Sequence, residues 1–233
     1  MSLMKPIAIL VTGAPPPALR DRFDDYATCF TKLLGPPFET QVFDIQAGQW
    51  PRRAEDFSGV IVTGSAAGVY EDAVWIRDLL AWLTMARGRT RLVGICFGHQ
   101  AMAQAFGGQV EKSDRGWGVG LHRYEIVSRE PWMAPGTDSV AIPVSHQDQV
   151  VAIPDDARVI ARSEFTPYGG LAYGDDAMSF QCHPEFDPAF VEALVDSRRG
   201  RIPDEVADAA VASLQEPDDR AVMSQWIQTF LGG

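Results

Sequence analysis

The run Gly94-Ile95-Cys96-Phe97-Gly98 joins an apolar, strand-like stretch at 91–95 to a helix-like one at 99–106 and sets one thiol between two glycines. A tight strand-to-helix turn of this kind pushes a single side chain into the open at the carboxyl end of a sheet. The glycines have a steric reason, because a Cβ at either flank would collide with the strand or the helix. The same turn places Cys96 at a helix N-terminus, where exposed N–H groups and the helix dipole favour thiolate over thiol. A thiolate near neutral pH is a nucleophile for acyl transfer.

Such a nucleophile needs a proton carrier, and the chain offers four histidines, His99, His122, His146 and His183. His183 closes Ser179-Phe180-Gln181-Cys182-His183-Pro184-Glu185, an apolar run that reads as a strand stopped by proline. Glu185 can hold one imidazole nitrogen while the other faces the thiol, so Cys96, His183 and Glu185 have the types of nucleophile, base and orienting acid. His146 competes for the base role, because it reads as part of a polar loop beside Asp148. His183 is preferred, as only it has the His-x-Glu pattern at a strand end. His99 reads as a helix-start residue and His122 as surface. Cys29 reads as a small core residue, and alternation turns Cys182 to the strand face away from His183, where it packs. Trp117, inside the glycine-rich run 115–120, reads either as a wall of a pocket mouth or as loop packing.

The elements that must position these groups alternate in the first half. Strands are expected at 6–12, 39–44, 59–63 and 91–95, and helices at 18–34, 74–87 and 98–106. That order implies an α/β, flavodoxin-like fold, a mostly parallel sheet with helices on both faces and ligands at the carboxyl ends of the strands. From 108 to 182 short strand-like runs, including 121–127, 140–143 and 158–161, are separated by Gly, Pro and Asp turns and read as an antiparallel extension. Helices return at 189–198, 203–214 and 221–231. Residues 1–233 read as a single domain with one core. The tail from 202 onward carries no functional signal in the sequence.

A net charge of -11 and a pI near 4.7 argue against nucleic acid or an anionic membrane as partner. Three cysteines, Cys29, Cys96 and Cys182, without paired spacing point to neither a disulfide framework nor a zinc site. No metal and no cofactor is expected, since neither a phosphate loop nor a dinucleotide fingerprint is present. The N-terminus reads as leaderless and no stretch approaches membrane-spanning length, so the expected compartment is the cytoplasm.

Taken together, GICFGHQ at 94–100 and the downstream His183-Pro184-Glu185 resemble the class I glutamine amidotransferases. Val60-Ile61-Val62-Thr63-Gly64-Ser65 resembles the family's strand and turn that supply oxyanion-hole amides, and Ser145-His146-Gln147-Asp148 resembles its second substrate loop. Within the family the chain is similar to free-standing members related to the glutaminase domain of GMP synthetase and to γ-glutamyl peptidases, a branch favoured by GSAAGVYEDAVW at 64–75. The resemblance implies acyl transfer from a γ-glutamyl amide, most simply L-glutamine, through a thioester on Cys96. Gly64, Ser65 and Phe97 would supply the oxyanion hole, while Gln100 and Ser145, His146, Gln147 and Asp148 would hold the α-amino and α-carboxylate ends, the loop through its backbone. No ATP-using acceptor domain is visible, so an ammonia-accepting synthetase would be a separate chain. Three readings stay open: a glutaminase that supplies ammonia to a partner chain, a stand-alone γ-glutamyl peptidase acting on glutathione-like conjugates, and a non-catalytic binding or regulatory module.

Overall fold

Fully buried apolar segments build the centre of a nine-stranded sheet, and the computed structural model describes residues 5–233 around it. The first four residues, which open the stretch read as leaderless, lie outside the described residues. In chain order the first half runs β1 (Ile7–Val11), α1 (Tyr26–Leu34), β2 (Thr40–Asp44), β3 (Gly59–Val62), α2 (Val74–Ala86), β4 (Arg91–Ile95) and α3 (Phe97–Ala105). There follow β5 (Gln109–Lys112), β6 (Gly118–Ile126), β7 (Ser139–His146), β8 (Asp148–Ala152), β9 (Ala157–Arg162), β10 (Gly170–Tyr173), β11 (Ala177–Phe180), α4 (Pro188–Asp196), α5 (Asp204–Ser213) and α6 (Arg220–Gly232).

The strand order is β2-β1-β3-β4-β11-β10-β9-β6-β7, with β5 and β8 forming a separate two-stranded ribbon. Pairing is parallel from β2 to β11 and antiparallel from β11 to β7. The central strands are buried on both faces, which is why they read as continuous apolar runs rather than alternating ones. Ile7, Ile9, Ile61, Val93 and Ile95 pack on one side with Phe30 of α1 and Trp226 and Phe230 of α6. Ala8, Leu10, Val60, Val62 and Leu92 pack on the other with Leu79 and Leu83 of α2 and Met102 of α3. This is the mostly parallel α/β arrangement with an antiparallel extension expected from the residues. No helix among the described residues is long and apolar enough to cross a membrane.

Three expectations need correction. The helix expected over 18–34 is broken: Pro17–Leu19 form one 3-10 turn, and α1 starts only after Asp25, whose carboxylate accepts the Thr28 N–H at 2.7 Å. The cap ends the earlier run because it satisfies an N–H that has no partner in the first turn of a helix. β11, read within an antiparallel stretch, is antiparallel to β10 but parallel to β4. It therefore sits where the two halves of the sheet meet. The supposed loop 145–148 is mostly strand, with Ser145 and His146 ending β7 and Asp148 opening β8. Its polar residues have ladder partners, His146 opposite Gly118 and Asp148 opposite Lys112, which short-range patterning could not anticipate.

β3, β4 and α3 approach so closely that no side chain fits between them. A Cβ on Gly94 would lie 2.5 Å from the Gly98 carbonyl oxygen, and one on Gly98 would overlap the Val62 carbonyl. Gly98→Ala should therefore cost about 3 kcal/mol, since the obstacle is backbone and cannot rotate away. An unchanged midpoint in a denaturant titration would contradict this packing.

Candidate active site

Cys96 follows β4 and caps α3 with φ 53° and ψ -103°, a positive φ shared with no other non-glycine residue among the described residues. Such backbone costs about 1–3 kcal/mol and survives only where its surroundings over-determine it. Here the Cys96 N–H donates to the Phe180 carbonyl at 2.8 Å, and its own carbonyl accepts from the Gln100 N–H at 3.1 Å. The parallel partner β11 then carries the chain past the elbow. Three residues after it, the His183 N–H donates to the Pro143 carbonyl at 2.8 Å, which fixes the imidazole beside the thiol.

Glu185 Oε1 lies 2.7 Å from His183 Nδ1, and the imidazole stacks on Phe186 with centroids 4.1 Å apart and planes at 7°. Burial opposes charge on His183, but the charges of Cys96 and Glu185, and hydrogen bonds to both, outweigh it and raise its pKa from 6.5 to about 10. Cys96, His183 and Glu185 are thus brought together with the imidazole held protonated. Gly64 closes the space around them, since a Cβ there would come within 3.1 Å of His183 Cε1 and 3.8 Å of the Cys96 Cβ.

The Gly64 turn is pinned from behind by a buried pair of threonines that sequence reading missed. Thr12 Oγ1 donates to the Thr63 carbonyl at 2.9 Å and lies 3.1 Å from the Gly64 carbonyl, while the Thr12 N–H reaches Thr63 Oγ1 at 3.0 Å. With its carbonyl turned to Thr12, Gly64 directs its N–H elsewhere, and neither the Gly64 nor the Ser65 N–H finds an acceptor among the described residues. Phe97 is the first residue of α3, where an N–H has no intrahelical partner.

The other histidines behave differently. His99 is fully buried, with Nδ1 2.8 Å from Ser179 Oγ, and His146 lies 3.2 Å from the Asp148 backbone carbonyl rather than from its carboxylate. Burial lowers both pKa values to about 3, His122 adding to the effect at His146. His146 is thus a buried ring at the end of β7, pushed toward its neutral form. His122, read as surface, is half-buried against Phe165, and burial lowers its pKa too. Cys182 packs in the core beside Met223 as expected, whereas Cys29 is only half-buried and faces a 510 Å³ cavity instead of the core.

A cavity of about 210 Å³ opens over Cys96. Gln100, Ser145, His146, Gln147 and Asp148 all line it, and so do Ser65 and Trp117. Gln100 differs from expectation in one respect: its Nε2 is spent on the Asp148 carbonyl at 2.8 Å and on Gln181 Oε1 at 3.1 Å, so it ties α3 to β8. Sequence reading also missed Tyr70, Glu71, Lys112, Arg198 and Arg201, which share the cavity. Tyr70 donates to Asp148 Oδ1 at 3.0 Å, and Glu71 Oε1 accepts from Gly68 N–H at 2.6 Å. Tyr70 and Glu71 stand inside the 64–75 stretch already singled out, but the two arginines lie at the edge of the tail that carried no signal. No group of three His, Cys, Asp or Glu side chains among the described residues is placed to hold a metal ion.

Residues 32–191 match the family model described as glutamine amidotransferase class-I. The chain is 25% identical over 242 residues to γ-glutamyl peptidase 3 of Arabidopsis thaliana, covering 98% of this chain and 97% of that protein. It is 32% identical over 137 residues to one of the subunits of glutamine-hydrolyzing GMP synthase from Methanopyrus kandleri, covering 56% of this chain and 68% of that protein. A crystal structure of a glutamine amidotransferase from Thermotoga maritima superposes with a TM-score of 0.76 at 17% identity, over 99% of this chain and 100% of that one, and so shares the fold. The elbow at the carboxyl end of β4 sets one cysteine over the cavity of an α/β sheet. The chain belongs to the class I glutamine amidotransferases.

Because the native imidazole holds its proton more tightly than an unfolded histidine, its contribution to stability is complete below pH 6.5 and is lost as pH rises through about 10. Histidine NMR titration should find His183 charged at pH 8 in the wild type. In Cys96→Ala its titration should move to lower pH, because one of the two groups that outweigh burial is gone. A His183 resonance that titrates near 6.5 in both proteins would contradict this electrostatic picture.

Proposed function

We propose that the chain, acting as one catalytic unit over residues 1–233, hydrolyses γ-glutamyl amides through a thioester on Cys96. The observation that carries this reading is the strained elbow cysteine beside a buried imidazole that Glu185 holds at 2.7 Å. In this scheme Cys96 thiolate attacks the γ-carbonyl carbon, and the developing oxyanion takes hydrogen bonds from the N–H groups of Phe97 and of the Gly64-Ser65 turn. His183 gives its proton to the departing amine, so the C–N bond breaks as the C–S bond remains. The imidazole then accepts a proton from water, whose oxygen attacks the thioester and releases glutamate. Glu185 keeps Nδ1 as the donor to itself and stabilises the charged ring.

Asp148 and Glu71 are the acidic groups in the cavity and suit the substrate's α-ammonium, with Ser145, His146 and Gln147 shaping the wall beside it. Gln100 acts through Asp148, whose backbone it holds. L-Glutamine is the smallest substrate of this class, and the similarity to part of a GMP synthase supports a second reading in which a separate synthetase chain accepts the ammonia. Similarity along nearly the whole chain to a γ-glutamyl peptidase supports hydrolysis without such a partner.

Glutamate release from L-glutamine and from a γ-glutamyl peptide, measured side by side on the purified chain, tests the reading. Cys96→Ala and His183→Asn should each lose about a thousandfold or more in kcat, as removal of one member of a cooperating set does, with a native circular-dichroism spectrum showing that each variant still folds. Turnover retained in Cys96→Ala would overturn the nucleophile. Loss confined to His146→Asn would transfer the base role.

A further inference from the structure

Arg198 and Arg201 enter the cavity over Cys96 from the turn that follows α4, outside the residues that match the family model. Arg199, between them, faces outward and pairs with Asp196 at 2.9 Å and Asp208 at 2.8 Å. The two flanking arginines have no carboxylate partner among the described residues. Both instead place their guanidinium groups on the Trp117 ring, 5.6 and 5.5 Å from its centroid, and the indole N–H donates to the Arg201 carbonyl at 3.1 Å. Trp117 is therefore a platform that orders both cations. Lys112 also lines the cavity and acts on the Asp148 carboxylate, so the two arginines are the cations left to create a local field for an anion in a chain with net charge -11.

Arg198 Nη1 donates to Ser145 Oγ at 2.6 Å, so it stands against the wall expected to meet the glutamyl α-end. Arg201 lies further out, exposed at the rim. One α-carboxylate uses one guanidinium fork, which leaves the second for another anionic group on the same molecule. Glutamine has no second carboxylate, because its leaving group is ammonia.

We propose that Arg201, seated on Trp117 beside Arg198, binds a carboxylate carried by the leaving amine, so that the preferred substrate is a γ-glutamyl amino acid or short peptide rather than glutamine. The inference rests on the γ-glutamyl hydrolysis reading and names the substrate class within it. One water is consumed: the γ-carbonyl C–N bond breaks, the amino acid or peptide leaves with the proton from His183, and water replaces Cys96 sulfur on the acyl carbon to give glutamate.

γ-Glutamylglycine and γ-glutamylglycinamide have the same scissile bond and α-end and differ in the charge of the leaving amine. The wild-type chain should cleave the acid with a kcat/KM about tenfold above that for the amide, the scale of one charge-assisted contact. Arg201→Met should bring that ratio toward one, and Arg201→Lys should restore part of it. A wild-type ratio of one overturns the proposal without any variant, and an undiminished ratio in a folded Arg201→Met also overturns it. Cleavage of neither compound, nor of glutamine, would instead remove the hydrolysis reading on which the proposal rests.

Discussion

The structure depends on one close approach, that of α3 to β3 and β4 through Gly94 and Gly98. With no side chain at either position the Gly98 peptide packs against the Val62 and Gly94 backbone, and the only route left from strand to helix passes through a positive φ at Cys96. The strain is local and is offset by packing that the whole sheet provides. From it follow the turn at Cys96 and the start of α3. The same sheet brings His183 into place, because β11 runs parallel to β4 and ends beside the elbow.

Surroundings divide the four histidines by charge. His99, His122 and His146 are pushed toward the neutral form by loss of water, whereas His183 has Cys96 and Glu185 beside it and is pushed the other way. A buried charge is tolerated only when paired, and here Cys96 and Glu185 are the pairing groups. At the cavity rim the charge pattern reverses that of the whole molecule, with arginines unpaired in an acidic protein. The interior favours a charged imidazole, and the rim presents the cations Arg198 and Arg201.

The parallel half of the fold was legible because its strands are short apolar runs bounded by glycine and its helices are amphipathic, and both signals are local. The bounds of β4 agree with the pattern residue for residue, and the turn at Cys96 falls where its flanking glycines placed it. What escaped depends on distant partners. β7 and β8 absorb the polar stretch 145–148 because Gly118 and Lys112 lie opposite, β11 turns parallel because β4 offers an open edge, and Asp25 starts a helix where the apolar periodicity had begun earlier. The arginines and the Thr12-Thr63 pair were unreadable for the same reason: each gains its role from a residue about 50 or more positions away in the chain. Trp117 was left between wall and packing, and it is both.

The central claim is that Cys96 carries the acyl group. Acid quenching of the wild-type chain during turnover of a γ-glutamyl peptide, followed by peptide mapping with mass spectrometry, tests it most directly. The account predicts a γ-glutamyl thioester on the peptide containing Cys96 and on neither Cys29 nor Cys182. Steady turnover with an adduct on one of those two thiols and none on Cys96 would contradict it.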